Sequence, residues 1–339
     1  MSRKFMMKKI KLYLFTALAG MLTYIIYLSL YSPEQSLDES PIRYDDSLNR
    51  NPWWDGGYAC RSLEELQRPP TYISKDDAIS GHCGRRSWEA GPGQKIISFS
   101  LYGNNKKYLI GLEANLNASK HLYPNYFVRL YTDPVPYKKL LCPLLRKYEH
   151  FHICDVKSLP TLGNIHKVQP IMWRLAPLGD PQVDILLVRD PDSQISSREV
   201  DAVHDWLSTG HTLHVMRDHP QHMAPIIDCC WGMRQDITRE HKENTGAIRK
   251  TLFDLLLNKY KHMEGQNILN EILWTDYEHD VVRHESYRCR EYQHSRPWPT
   301  EREDEKHFVG SQRSGFQKKH LEECPVYCRP EAHQDWRYC

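Results

Sequence analysis

Two aspartates separated by one residue, Asp190-Pro191-Asp192, follow the apolar run Val183-Asp184-Ile185-Leu186-Leu187-Val188. A run that is apolar at nearly every position suits a central strand covered on both faces. In an open α/β sheet, ligands bind beyond the carboxyl ends of the strands. Two carboxylates there make a hard oxygen site, suited to Mg²⁺ or Mn²⁺ on a diphosphate, because the ion offsets charge the protein would otherwise face directly. Asp-x-Asp is common by chance in solvated turns; the strand before it is what gives this pair weight.

A second group follows. Thr212-Leu213-His214-Val215-Met216-Arg217-Asp218 reads as a strand opening onto His219-Pro220-Gln221-His222. Asp218 and His219 are candidates to meet a sugar hydroxyl or a phosphate, while His214, His219 and His222 also fit a set of structural histidines. Between the two groups lies a helix. Ser196 and Glu199 have the spacing of a capping box, Val200, Val203 and Leu207 recur at helical spacing, and Gly210 supplies the stop. Cys229 and Cys230 are adjacent. Adjacent cysteines point in different directions, which predicts separate fates for the two.

The elements that must position these residues begin near residue 94. Strands are expected at 95–101, ending in Tyr102-Gly103, at 126–131 and at 151–154, with a helix at 107–119. Further helices are expected at 247–260 and 267–273. Strands alternating with helices predict a mainly parallel α/β sheet.

The amino-terminal end has a different character. Residues 12–31 carry no charge, and twenty helical residues span roughly 30 Å, the thickness of a bilayer core. Arg3, Lys4, Lys8, Lys9 and Lys11 precede the run, and Glu34, Asp38 and Glu39 follow it. That asymmetry predicts a cytoplasmic amino terminus and a lumenal remainder. A cleaved signal peptide would have a shorter apolar region and a small-x-small site, and no clear one follows. Residues 32–93 are polar and rich in Pro, Asp, Ser and Arg, the composition of a stem, with some order expected near Cys60 and Cys83.

Composition bounds the partners. With 45 basic and 43 acidic residues among 339, the chain gives no electrostatic case for nucleic acid. All ten cysteines lie beyond residue 31. An even number in an oxidising compartment predicts disulfides of undetermined pairing, including at least one from Cys324, Cys328 or Cys339. Zinc is the weaker reading, since only Cys324 and Cys328 are closely spaced. Asn117-Ala118-Ser119 is the single glycosylation sequon.

A membrane anchor, a stem, an α/β domain and a strand-terminal Asp190-Pro191-Asp192 together resemble a metal-dependent glycosyltransferase of the GT-A fold. More narrowly, residues 94–310 resemble a glycosyltransferase-like family of bacterial polysaccharide loci and invertebrates. The segments that carry the likeness include Ile97-Ser98-Phe99-Ser100-Leu101-Tyr102-Gly103, Met172-Trp173-Arg174 and Val188-Arg189-Asp190-Pro191-Asp192-Ser193. Val203-His204-Asp205-Trp206-Leu207, His214-Val215-Met216-Arg217-Asp218-His219-Pro220, Trp231-Gly232, Arg283-His284-Glu285-Ser286 and Phe308-Val309-Gly310 extend it. The proline inside Asp-x-Asp departs from the usual pattern, though its fixed φ can hold both carboxylates in one turn.

The resemblance implies a Rossmann-like, mainly parallel sheet flanked by helices over 94–310, preceded by a cytoplasmic tail at 1–11, one transmembrane helix at 12–31 and a stem at 32–93, and followed by a Cys-containing tail at 311–339. It implies a Golgi or endoplasmic-reticulum enzyme that moves a sugar from a nucleotide-sugar donor to a glycan or glycoconjugate acceptor. The donor would lie near Phe99, Tyr102 and Gly103, with Arg174 on a phosphate. Asp190 and Asp192 would hold Mn²⁺ or Mg²⁺, with His284 completing the metal shell, and Asp218 and His219 would face sugar or acceptor. Three other readings stay open: a lumenal metal-dependent hydrolase, a non-catalytic carbohydrate-binding protein or pseudoenzyme, and a purely structural anchored protein that needs neither aspartate.

Overall fold

The computed structural model describes residues 52–55, 60, 81–258, 265–292, 295–303, 306–312 and 321–339, all within one compact unit, Ser47–Cys339. The expected anchor at 12–31, the tail before it and most of the stem lie outside the described residues. Among the described residues, no helix is long and apolar enough to cross a membrane.

Eight strands form one sheet: β1 Gln94–Ser100, β2 Tyr126–Thr132, β3 Phe151–Asp155, β4 Val183–Val188, β5 Leu213–Arg217, β6 Trp231–Arg234, β7 Val281–Glu285 and β8 Ser295–Arg296. Their spatial order is β3-β2-β1-β4-β6-β5-β7-β8. Every neighbouring pair is parallel except the two that involve β6. The mainly parallel α/β sheet is therefore present, with one antiparallel strand at 231–234 that the residue pattern alone does not predict. Among the described residues, four longer helices flank it: α1 Lys106–Leu122, α2 Lys138–Lys147, α3 Ser197–Thr209 and α4 Arg239–Asn258.

The apolar run of β4 works as a doubly covered strand should. Ile185 and Leu187 join the core under α1 and α3 with Leu112, Leu116 and Trp206. Leu186 and Val188 join the opposite core with Trp173, Trp231 and Leu252. Period-two alternation divides one apolar strand between two layers. The expected cap of α3 is half present. Ser196 accepts from the Glu199 amide and Gly210 ends the helix in the left-handed region. Glu199 does not reach back to the cap; it accepts from Arg189 Nε at 2.8 Å and from the Tyr123 hydroxyl at 3.1 Å. A buried guanidinium outcompetes the cap for that carboxylate, because a charge-assisted bond is stronger than a neutral one.

All ten cysteines are paired, as Cys60–Cys142, Cys83–Cys154, Cys229–Cys230, Cys289–Cys328 and Cys324–Cys339. Cys324 and Cys339 bond within the tail, and Cys328 bonds back to the body. The separate fates expected for Cys229 and Cys230 are overturned: these neighbours bond each other. The ends of the folded unit also reach past 94–310. His82 donates its amide to Asp180 at 3.1 Å, and Cys83 is joined to Cys154 at the end of β3. At the other end, Tyr338 accepts from the Arg302 amide at 2.9 Å.

Candidate functional site

Because β1, β4, β5 and β7 run the same way, Ser100, Val188, Arg217 and Glu285 all end at one edge of the sheet. Asp190 and Asp192 lie just beyond β4 at that edge. They line a cavity of 80 Å³ with Ser100, Tyr102, Tyr108 and Arg174, which Gln312 helps to close. The Asp190 side chain is 32% exposed, while that of Asp192 is 5% exposed.

Each aspartate has a cation. Arg174 donates to Asp190 Oδ1 and, at 3.0 Å, to the Arg189 carbonyl. Lys107 Nζ lies 2.9 Å from Asp192 Oδ2. Burial alone would lower the Arg174 pKa; the Asp190 charge reverses that, and the net direction is up. The Lys107 ammonium is also held above its ordinary value, first by its hydrogen bond to Asp192.

Arg174 is set by β1. It sits in a short 3-10 helix, Pro170–Leu175, whose carbonyl at Arg174 accepts from Ser98 Oγ at 2.8 Å. The Arg174 amide donates to Ser100 Oγ at 2.9 Å. The two serines on one face of β1 thus aim the guanidinium. Phe99 points the other way and is fully buried beneath α1, which corrects its expected place against a donor. Gly103 is a positive-φ turn whose carbonyl accepts from Tyr137 at 2.6 Å, and it does not line the cavity. Tyr102 does: its ring stands 6.2 Å from Trp173, edge to face, and 6.4 Å from Tyr108.

The Asp190-Pro191-Asp192 turn is gripped from α1 by Gly111 and Asn115, which no local motif marks. A Cβ on Gly111 would stand 2.3 Å from the Pro191 carbonyl oxygen and 2.7 Å from Asp192 Cα, so only glycine lets the helix come this close. One turn on, Asn115 donates to the Pro191 and Ser193 carbonyls at 3.1 and 2.7 Å and accepts from the Ile195 amide at 3.3 Å. Lys107, Gly111 and Asn115 are spaced by four and form one helical stripe. That spacing was the available signal, readable only once α1 is known to cross β4. On the other side, residues 308–312 run alongside the turn. Ser193 Oγ donates to the Gly310 carbonyl at 3.1 Å, and the Gln194 amide donates to Ser311 at 3.1 Å.

The remaining expected site residues are elsewhere. Asp218 is a buried hub. It accepts from Arg198 Nε and Nη2 at 3.0 and 2.9 Å and from Arg302 Nη2 at 2.7 Å. Ser286 Oγ and the Val309 amide donate to it at 2.6 and 2.9 Å. Burial alone would raise its pKa; the two guanidiniums outweigh burial and hold the carboxyl well below the usual range. With no surface left to a ligand, Asp218 is a structural keystone, which corrects its expected role. His219 is partly exposed, its ring 4.6 Å from Phe308, and it does not line the cavity.

His284 is fully buried on β7. Its Nδ1 lies 2.8 Å from His214 Nε2 and its Nε2 lies 3.2 Å from Asp205 Oδ2. Both ring nitrogens are engaged, and burial keeps the imidazole's pKa below its ordinary value despite the Asp205 bond. His284 is therefore no third ligand for Asp190 and Asp192. Asn117 is exposed on α1, while the Ser119 hydroxyl of its sequon is buried and bonded to Leu116 and His150.

Among the described residues no group of three or more His, Cys, Asp or Glu side chains is arranged to hold a metal. Two carboxylates in one crevice still suit an ion that takes its other ligands from phosphates and water, as Mg²⁺ does.

No protein-family model matches the chain, and no curated protein sequence does. Solved structures with some likeness include a glycosyltransferase involved in glycosylation of the major capsid of PBCV-1, at 12% identity and TM-score 0.36, covering 57% of this chain and 82% of that one. Another is 4-diphosphocytidyl-2C-methyl-D-erythritol synthase from Anaerococcus prevotii, at 12% identity and TM-score 0.37, covering 56% and 87%. A third is S. aureus TarS 1-349, at 12% identity and TM-score 0.34, covering 56% and 58%. A likeness of this size does not bear on activity.

Proposed function

We propose that the chain is a glycosyltransferase that binds a nucleotide-sugar donor at Asp190 and Asp192 and transfers its sugar to a glycan or glycoconjugate hydroxyl. The observation that carries this reading is one crevice, at the carboxyl ends of β1 and β4, that is lined by two carboxylates, the Arg174 guanidinium and the rings of Tyr102 and Tyr108, with Lys107 paired to Asp192. The resemblance to GT-A glycosyltransferases points the same way. At 80 Å³ the enclosed part is small beside the roughly 300–1,000 Å³ of ordinary ligand pockets. It takes the diphosphate; the nucleoside and sugar lie over the open rim, where Tyr102 and Tyr108 offer stacking surface.

Asp190 and Asp192 would hold Mn²⁺ or Mg²⁺, which when bound neutralises the departing diphosphate. Arg174 is positioned by Ser98 and Ser100 to donate to phosphate oxygens, and Lys107 adds a second positive charge from α1. Charge placed in advance, in a site that Tyr102 and Gln312 partly shield from water, lowers the barrier to leaving-group departure. The charge asymmetry around residues 12–31 supports a lumenal orientation in the Golgi or endoplasmic reticulum, in which Asn117 meets the glycosylation machinery before α1 folds.

The test uses Asp190→Asn and Asp192→Asn. Nucleotide diphosphate affinity is measured with and without Mn²⁺, and sugar release from nucleotide-sugars with and without glycan acceptors. The expected result is metal-dependent binding in the parent, lost by at least about tenfold in each variant. Unchanged binding in both variants, or none in the parent, overturns the assignment; sugar release indifferent to every acceptor favours the hydrolase.

A further inference from the structure

A second cavity, of 690 Å³, shares no residue with the Asp190 crevice. Its walls include Val281, Val282 and Arg283 from the first half of β7 and Arg296 from β8, the outermost strand. It therefore sits towards the amino ends of the parallel strands, at the far edge of the sheet. Three strand spacings separate β4 from β7, about 14 Å.

Its lining is a corner of two aromatic rings. Trp274 and Tyr292 stand 6.3 Å apart at 80°. Each has a guanidinium over one face: Arg283 at 5.0 Å from Trp274 and Arg217 at 3.6 Å from Tyr292. Both arginines are buried, and the Tyr292 hydroxyl donates to the Met223 carbonyl at 2.9 Å. Rings held this way are fixed before any ligand arrives.

The rim carries His211, Glu278, His279, Glu291 and Arg296, and of these Arg296 and Glu291 are held in ion pairs. Arg296 grips Asp205 with bonds of 2.8 and 2.9 Å, His211 meets Asp280 at 2.8 Å, and Glu291 meets Arg288 at 2.7 Å. His279 lies 3.5 Å from Glu278. With Arg296 and Glu291 paired and the Glu278 carboxylate beside them, the rim gives an anion little net attraction, yet carboxylates and guanidiniums keep spare acceptors and donors for neutral hydroxyls. A pyranose ring offers the complement: a face of C–H groups for the aromatics and hydroxyls around its edge.

We propose that this cavity binds a neutral oligosaccharide, as a carbohydrate site separate from the transfer crevice. The assignment does not rest on the transferase reading. Saturation-transfer NMR on the full chain would use mannotriose, chitotriose and lactose as probes, with a heparin-derived tetrasaccharide as the anionic comparison. At least one neutral probe should bind, and Trp274→Ala and Tyr292→Ala should each weaken it by about tenfold. Asp190→Asn should leave it unchanged, so that failure here is distinguishable from failure of the nucleotide site. Should either aromatic variant melt early, the exposed pair His279→Ala with Glu291→Ala carries the test, with a loss of about threefold. Binding by none of the neutral probes, preference for the sulfated one, or full affinity in the folded variants overturns the proposal.

Discussion

Asp190 and Asp218 occupy equivalent places, each just past the carboxyl end of a parallel strand in the same sheet, and their surroundings are opposite. Asp190 meets one guanidinium and keeps 32% of its side chain exposed. Asp218 is fully buried and is approached by Arg198, Arg302, Ser286 and the Val309 amide. A strand-terminal carboxylate is thus a ligand site only where its neighbours leave acceptor capacity unused. Where helix, loop and tail all send donors to it, the same residue type ties the fold together.

The sharpest way to break that contrast is Asp218→Asn set beside Asp192→Asn. Removing the Asp218 charge leaves two buried guanidiniums without a counter-charge, an expected loss of about 3–5 kcal/mol. Asp192 is 5% exposed, but its partner Lys107 keeps 26% of its side chain in solvent and can rehydrate, so Asp192→Asn should cost only about 1–2 kcal/mol. Urea denaturation of both variants reads the difference. Equal destabilisation would mean that Asp192 too is a keystone.

Acid should separate the two regions from the buried histidines. His82 is 5% exposed and burial takes its pKa from 6.5 down to about 4. His214 and His284 are shifted the same way by burial. A histidine kept neutral when folded contributes stability that is present above pH 6.5, because the unfolded chain then gains no extra proton. That stability is lost as pH falls from 6.5 towards 4. For His82 alone the fall corresponds to about 3 kcal/mol. The Asp218 hub stays ionised throughout this window and adds nothing to the slope of melting temperature against pH, so a His82 variant isolates the histidine's share. His82→Gln should flatten the slope; an unchanged slope would show that His82 takes no part.

Gly111→Ala probes the open side. Its Cβ would stand 2.3 Å from the Pro191 carbonyl, so α1 or the turn must move. Nucleotide diphosphate affinity should fall about tenfold, while circular dichroism stays that of a folded chain. An affinity equal to the parent's would mean that the turn has slack.

Much of this architecture is legible from residue patterns. The strand expected at 95–101, the doubly apolar β4 and the Ser196–Gly210 helix all fall where local residue patterns place them. What periodicity does not carry is partner choice. Glu199 has the spacing of a capping residue and instead meets Arg189. His284 lies in a motif shared with the resemblance and instead meets His214. Asp218 has the sequence neighbourhood of a catalytic residue, yet Arg302 and Val309 reach it from more than eighty residues away. Pairing in space decides each case: Arg189 stands ten residues from Glu199 and still displaces the cap, while His214 is seventy residues from His284 and Arg302 eighty-four from Asp218, beyond any local window. The Asp190 crevice was half legible for the same reason: its carboxylates follow their strand, whereas Gly111 and Asn115 matter only because α1 crosses β4.

The smallest effect concerns the strap that links the two aspartates. Residues 308–312 reach Asp218 directly and the Asp190-Pro191-Asp192 turn through the next residue: the Val309 amide donates to Asp218 at 2.9 Å, and the Gly310 carbonyl accepts from Ser193 at 3.1 Å. Gly310 has φ of 92°, and a Cβ there would stand 2.9 and 2.7 Å from the sulfurs of Cys229 and Cys230. The strap therefore rests on the disulfide between adjacent cysteines. A loop of this length removes little entropy from the unfolded chain, so Cys229→Ser with Cys230→Ser should cost only about 1 kcal/mol. Its consequence should be local. Deuterium exchange at the amides of residues 308–312 should quicken, with more change at the Ser193 end than at the Val309 end, because Asp218 still holds Val309 through a charge-assisted bond. Equal protection in parent and double variant would show that the two aspartates alone seat the strap and that the disulfide beneath it is passive.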